Sequence, residues 1–129
     1  MFSTKNLPET LSISNFHDFN GNLNDLKHII SVNKGIKVIE FNEKWDPLCE
    51  RFARRLKNVA AMNPDVTFLS INMEENYELI SHYPISSVPH LKFIISDGEN
   101  NFQEVDQAIG SNANNVQKKI ENIRKNYSY

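Results

Sequence analysis

The 129-residue chain is 40% hydrophobic and 23% charged and carries a net charge of -2, a balance typical of an ordinary soluble fold that excludes a global basic surface for nucleic acid or anionic lipid. Its length suits one domain over 1–129, with a core over about 11–127 and a loose lead-in at 1–8. No stretch approaches the roughly 20 apolar residues of a membrane span, and Met1 to Asn15 has no apolar core followed by a small-residue cleavage site. A cytoplasmic or nuclear protein is therefore expected. The sole cysteine, Cys49, excludes an internal disulfide.

In chain order, Leu11 to Ser14 alternates apolar and polar residues and predicts a short first strand. Leu23, Leu26, Ile29, Ile30 and Val32 fall at helical spacing after Asn22, with Gly35 as the stop signal. Ile36, Val38, Ile39 and Phe41 form a run suited to a central strand covered on both faces. Pro47 to Met62 is strongly amphipathic: Leu48, Cys49, Phe52, Leu56, Val59 and Ala60 share a stripe. Pro64 closes this helix, Val66 to Asn72 predicts a second buried strand, and Asn76 to His82 a short helix carrying Tyr77, Leu79 and Ile80. The β-α-β-α-β-α order up to this point favours parallel strands with right-handed crossovers. Leu91 to Ile95 and Phe102 to Ile109, separated by Asp97-Gly98, then read as a hairpin. Gly110 ends it, and a last helix capped by Asn112 or Asn114 sets Val116, Ile120, Ile123 and Tyr127 on one face.

The stretch Trp45-Asp46-Pro47-Leu48-Cys49 joins the central strand to the amphipathic helix. Asp46 suits an N-cap with Pro47 as the first helical residue. A helix N-terminus lowers a thiol pKa, whereas a carboxylate beside it and burial on the apolar stripe raise it. Cys49 thus reads either as a buried small hydrophobe or as a slow monothiol. Glu40 alternates with Val38 and Asn42 on the central strand, where burial of a carboxylate is costly. The cationic set Arg51, Arg54, Arg55 and Lys57 lacks interleaved aromatics, so it reads as a solvated helix face and nucleic acid is not expected as a partner. The four histidines, His17, His28, His82 and His90, show no paired metal spacing, and no metal site is expected.

The element order, the Trp-x-x-x-Cys of Trp45 and Cys49, Val88-Pro89 before the hairpin and Gly110 before the last helix together resemble the thioredoxin fold. That resemblance implies an α/β protein with a mixed central sheet, its parallel part followed by a C-terminal β-hairpin, flanked by helices on both faces. Within the superfamily, Phe68 to Asn76 and Ile85-Ser-Ser-Val-Pro89 are most similar to the N-terminal thioredoxin domain of multidomain monothiol glutaredoxins, although the chain ends at Tyr129 with no Cys-Gly-Phe-Ser domain. Trp45-Asp-Pro-Leu-Cys49 also resembles the Trp-Asp-Pro-Thr-Cys of spliceosomal thioredoxin-like proteins.

By this resemblance Asp46 stands where the attacking cysteine of a dithiol pair would be, leaving an Asp-x-x-Cys motif. Pro89 corresponds to the cis-proline, and Glu40 to the buried carboxylate that acts as base toward the second cysteine. Iron-sulfur ligation by Cys49 is disfavoured, because the ligand in monothiol glutaredoxins corresponds to the first cysteine position. A carboxylate cannot exchange with a disulfide, so a dithiol cycle is not expected. The resemblance implies a redox-divergent binding module in thiol-redox or iron-sulfur-related pathways, without a resident cofactor. Its protein or peptide partner would lie in a groove rimmed by Trp45, Asp46, Val88, Pro89 and His90. The competing readings are a monothiol oxidoreductase using Cys49 with glutathione, and a spliceosomal scaffold.

Overall fold

A computed structural model describes residues 14–129. In chain order it contains β1 (Phe16–Asp18), α1 (Leu23–Val32), β2 (Lys34–Asn42), α2 (Pro47–Met62) and β3 (Thr67–Asn72). A 3-10 turn (Met73–Glu75), α3 (Tyr77–Ile80), β4 (His90–Asp97), β5 (Phe102–Ile109) and α4 (Ala113–Asn126) follow. The strands form one sheet in the order β1-β3-β2-β4-β5. The β1, β3 and β2 strands run parallel, whereas β4 and β5 run antiparallel to their neighbours. This is the expected α/β thioredoxin fold.

Each main helix starts where a polar side chain satisfies backbone N–H groups that the helix cannot. Asn22 and Asp25 form a reciprocal capping box at α1, with Asp25 N–H donating to Asn22 Oδ1 at 2.9 Å. Asn112 accepts from Asn115 N–H at 3.1 Å at α4. Asp46 does the same for α2, with Pro47 at its first position.

Because successive strand residues point to opposite faces, β2 serves two cores. Ile36 and Val38 join Phe52 and Leu56 of α2 and Val116, Ile120 and Ile123 of α4. Ile39 and Phe41 join Leu26 and Ile30 of α1 and Leu79 of α3 on the other face. The hairpin closes through Asp97 and Asn101, and a bulge lies between Phe93 and Ile94. Gly110 takes a φ of +104° that favours glycine, and its N–H donates to the Pro89 carbonyl at 2.9 Å.

Four expectations shift. Of the first predicted strand only Ser14 lies within the described residues, and it sits in a turn. The edge strand is instead Phe16–Asp18, set by the stacking of Phe16 on Phe68 and by Asn15, whose amide Nδ2 donates to the carbonyls of Ala60, Asn63 and Val66. Gly35 does not stop α1; that helix ends at Val32 with Asn33 as its C-cap, and Gly35 lies inside β2 with φ +127°. Tyr77 and Tyr127 are not buried. The first opens outward from a single-turn helix, and the second caps the end of α4.

Candidate functional site around the start of α2

The Asp46 carboxylate is committed to the helix it caps. Its Oδ1 accepts from Leu48 N–H at 2.8 Å and from Cys49 N–H at 3.2 Å. Replacing Asp46 with Ala removes both bonds and is expected to lower stability by about 1 kcal/mol; urea unfolding of the Asp46→Ala and Asp46→Asn variants checks this, since Asn retains the acceptor.

Cys49, at the third residue of the helix, is 3% exposed. Burial pushes its thiol pKa up, a hydrogen bond from the Glu43 backbone opposes that rise, and the charges of Asp46, Glu40 and Glu43 add to it. Acidic neighbours and desolvation therefore outweigh the helix N-terminus.

Behind it on β2, Glu40 is 1% exposed. Its Oε1 accepts from Asn42 Nδ2 at 3.0 Å, and the same Nδ2 donates to Ser70 Oγ at 2.7 Å. Among the described residues, Glu40 Oε2 and Asn42 Oδ1 are buried without partners. Burial is the main reason that the Glu40 pKa rises from 4.5 to about 7, with the hydrogen bonds from Asn42 and Ser70 pulling it down; Asp18 adds to the rise and Lys44 subtracts from it. A buried carboxyl that titrates near neutrality is able to hold or release a proton beside Cys49.

A cavity of about 240 Å³ lies over this group, between α2 and the β1–β3 edge of the sheet. Cys49 and Ala53 form its α2 wall, Asn42 and Ser70 line it from the sheet, and Phe16 and Asp18 close it from β1. Sequence spacing singles out none of Asn42, Ser70, Phe16 and Asp18 as site residues. The readable signal is period-2: Asn42 follows Glu40 on one face, and Ser70 interrupts an apolar strand.

The five residues expected at the groove differ in exposure. Trp45 is 64% exposed, while Asp46 and Val88 are half-buried and Pro89 is buried. The Val88–Pro89 peptide bond is cis. His90 corrects the expected rim: it is 5% exposed, because its position at the start of β4 turns the ring onto the α1 side of the sheet. There it meets the edge of Phe41 and lies 3.0 Å from Gln107 Oε1 through Nε2. Arg51, Arg54, Arg55 and Lys57 lie on the exposed side of α2. Among the described residues no helix is long and apolar enough to cross a membrane.

The family model described as Thioredoxin matches residues 18–122. The chain belongs to the thioredoxin family. Among its relatives in that family, thioredoxin H5 of Oryza sativa is 26% identical over 68% of this chain and 62% of its own length. Glutaredoxin-3 of Mus musculus is 31% identical over 68% of this chain but only 25% of its own length. The match thus spans less than two thirds of each of these two relatives. Among solved structures, the thioredoxin of Trichomonas vaginalis superposes with a TM-score of 0.78 at 29% identity, covering 84% of this chain and 96% of that one. The thioredoxin of Trypanosoma brucei brucei superposes with a TM-score of 0.74 at 20% identity, over 91% and 97% of the two chains, and speaks to fold alone.

Proposed function

We propose that this thioredoxin-family chain is a protein- or peptide-binding module that does not run the dithiol cycle, working alongside thiol-redox chemistry in the cytoplasm or nucleus. One observation carries the reading: the carboxylate at the first position of Asp46-Pro47-Leu48-Cys49 caps α2 through two backbone N–H groups, where disulfide reduction would need an attacking thiolate. The exposure of Trp45 supports the binding half, because an exposed indole beside a strand-like segment is a strong anchor for an extended peptide. The reading assigns the strand-like segment to the loop Val88–Pro89, whose Pro89 carbonyl accepts from Gly110 N–H at 2.9 Å.

Two measurements test the halves separately. In an insulin-reduction assay with dithiothreitol, and again with thioredoxin reductase, the wild type is expected to add nothing to the background rate. Robust turnover that disappears in Cys49→Ser would overturn the reading. In affinity capture followed by mass spectrometry, the same partner should be retained by Cys49→Ser and lost by Trp45→Ala; the opposite pattern would make thiol capture the binding mode.

A further inference from the structure

We propose that Asn20-Gly21, in the turn between β1 and α1, is a site of spontaneous deamidation that the buried side chain of Asn76 holds shut. Residue 20 then becomes aspartate or isoaspartate when the segment Met73 to Ile80 opens.

The pair is the only Asn-Gly in the chain. An asparagine deamidates when the backbone nitrogen of the next residue attacks its side-chain carbonyl carbon, and glycine, with no Cβ to crowd that nitrogen, permits the attack best. The fold demands glycine here: a Cβ at residue 21 would stand 2.9 Å from Cζ of the buried Phe19. Asn20 and Gly21 are both exposed, and a hollow of about 450 Å³ borders them together with Asn76, so water reaches the pair.

Asn76 opposes the reaction at both of its centres. Its Oδ1 accepts from Gly21 N–H at 3.2 Å, which keeps the proton on the attacking nitrogen. Its Nδ2 donates to Asn20 Oδ1 at 3.1 Å, which holds the side chain that must turn onto Gly21, and also to the Asn72 carbonyl at 2.9 Å. Because Asn76 is 5% exposed, ring closure beneath it would strip a buried amide of its partners, a costly step. The turn cannot yield by shifting as a whole either. Phe19 N–H donates to the Ser70 carbonyl at 2.8 Å, and Asn22 N–H to Asp25 Oδ2 at 3.4 Å. Asn76 itself joins the 3-10 turn to the single-turn α3, short elements that open at less cost than the whole fold. That opening sets the rate.

The chemistry consumes one water and releases one ammonia. Gly21 N gives its proton to solvent and bonds to Asn20 Cγ; the Cγ–Nδ2 bond breaks, and Nδ2 leaves as ammonia after taking up a proton. Water then opens the five-membered imide at either carbonyl, which gives aspartate or isoaspartate. The isoaspartate carries an extra methylene in the backbone, so Gly21 N–H no longer reaches Asn76 and the latch does not re-form.

The test is peptide mapping by mass spectrometry of deamidation at residue 20 during incubation at mildly alkaline pH. The folded wild type is expected to react at least about tenfold slower than a synthetic peptide spanning residues 16–25, equivalent to ~1.4 kcal/mol of latch. Asn76→Ala, shown to be folded by circular dichroism, should recover most of that factor, whereas Val116→Ala, which destabilises the distant α4 core, should not. A readout on the wild type alone stands beside these variants: below the unfolding transition, urea should raise Gly21 amide hydrogen exchange and peptide-corrected deamidation of Asn20 in the same proportion. A folded protein that reacts as fast as the peptide, an Asn76→Ala variant that reacts like wild type, a Val116→Ala variant that matches Asn76→Ala, or deamidation that does not follow Gly21 exchange would overturn the proposal.

Discussion

Replacing Glu40 with Gln is expected to stabilise the protein at mildly alkaline pH by on the order of 3 kcal/mol, and to leave stability nearly unchanged below the ordinary carboxyl pKa. The sign follows from where the proton sits. In the unfolded chain the Glu40 carboxyl ionises near 4.5, whereas in the fold it does so near 7. Between those values the native state holds a proton that the unfolded state has lost, so stability falls as pH rises through this window. At ~1.4 kcal/mol for each pH unit of separation, the full penalty is on the order of 3 kcal/mol above neutrality and absent in acid. Gln keeps an oxygen for the Asn42 amide while removing the charge that burial disfavours. Urea midpoints for wild type and Glu40→Gln, measured from mildly acid to mildly alkaline pH, should diverge as pH rises. Parallel profiles would mean that Glu40 does not carry this penalty.

The Asp46→Cys variant is expected to gain disulfide-reductase activity, roughly tenfold or more above the wild type in the insulin assay. The introduced thiol would start α2 where two backbone N–H groups already converge on the Asp46 carboxylate, an environment that stabilises a thiolate. Cys49 would then stand in the resolving position, with Glu40 behind it to take its proton. Adding Cys49→Ser should abolish turnover and accumulate a covalent complex with substrate, because the mixed disulfide can no longer be resolved. Loss of the cap costs about 1 kcal/mol, so the gain must be read on protein shown to be folded. An inactive Asp46→Cys variant would mean that more than the missing nucleophile blocks the cycle.

The sequence made the elements easier to locate than the cavity. Pro47 to Met62 was legible because the capping residue, the helix-starting proline and the apolar stripe agree on one boundary. The hairpin was legible from Asp97-Gly98 between two apolar-rich runs. Gly35 misled because glycine serves a positive φ in a strand as readily as at the end of a helix. Lys37 lies hidden in a run that reads as apolar; it is 1% exposed, and its ammonium donates to the Asn33 carbonyl. At the site, Trp45, Asp46 and Cys49 were visible through their spacing. The cavity was not, because its walls come from β1, β2, α2 and β3, and only the sheet order brings Phe16 and Ser70 beside Cys49. His90 was misplaced for a related reason: which face a strand's first residue takes depends on register, and here register puts it against Phe41.

β1 is three residues long and, among the described residues, pairs with β3 alone, yet Phe16 and Asp18 form part of the wall of the cavity beside Cys49. Short edge strands open by local fluctuation at a fraction of the free energy of global unfolding. Thiol reagents too large for this cavity would therefore gain entry at a rate set by the opening equilibrium of this edge, not by the stability of the whole molecule. The one cysteine thus becomes a built-in gauge of fraying at the sheet margin, and anything that clamps Asn15 and β1 onto β3 would also lengthen the lifetime of the free thiol.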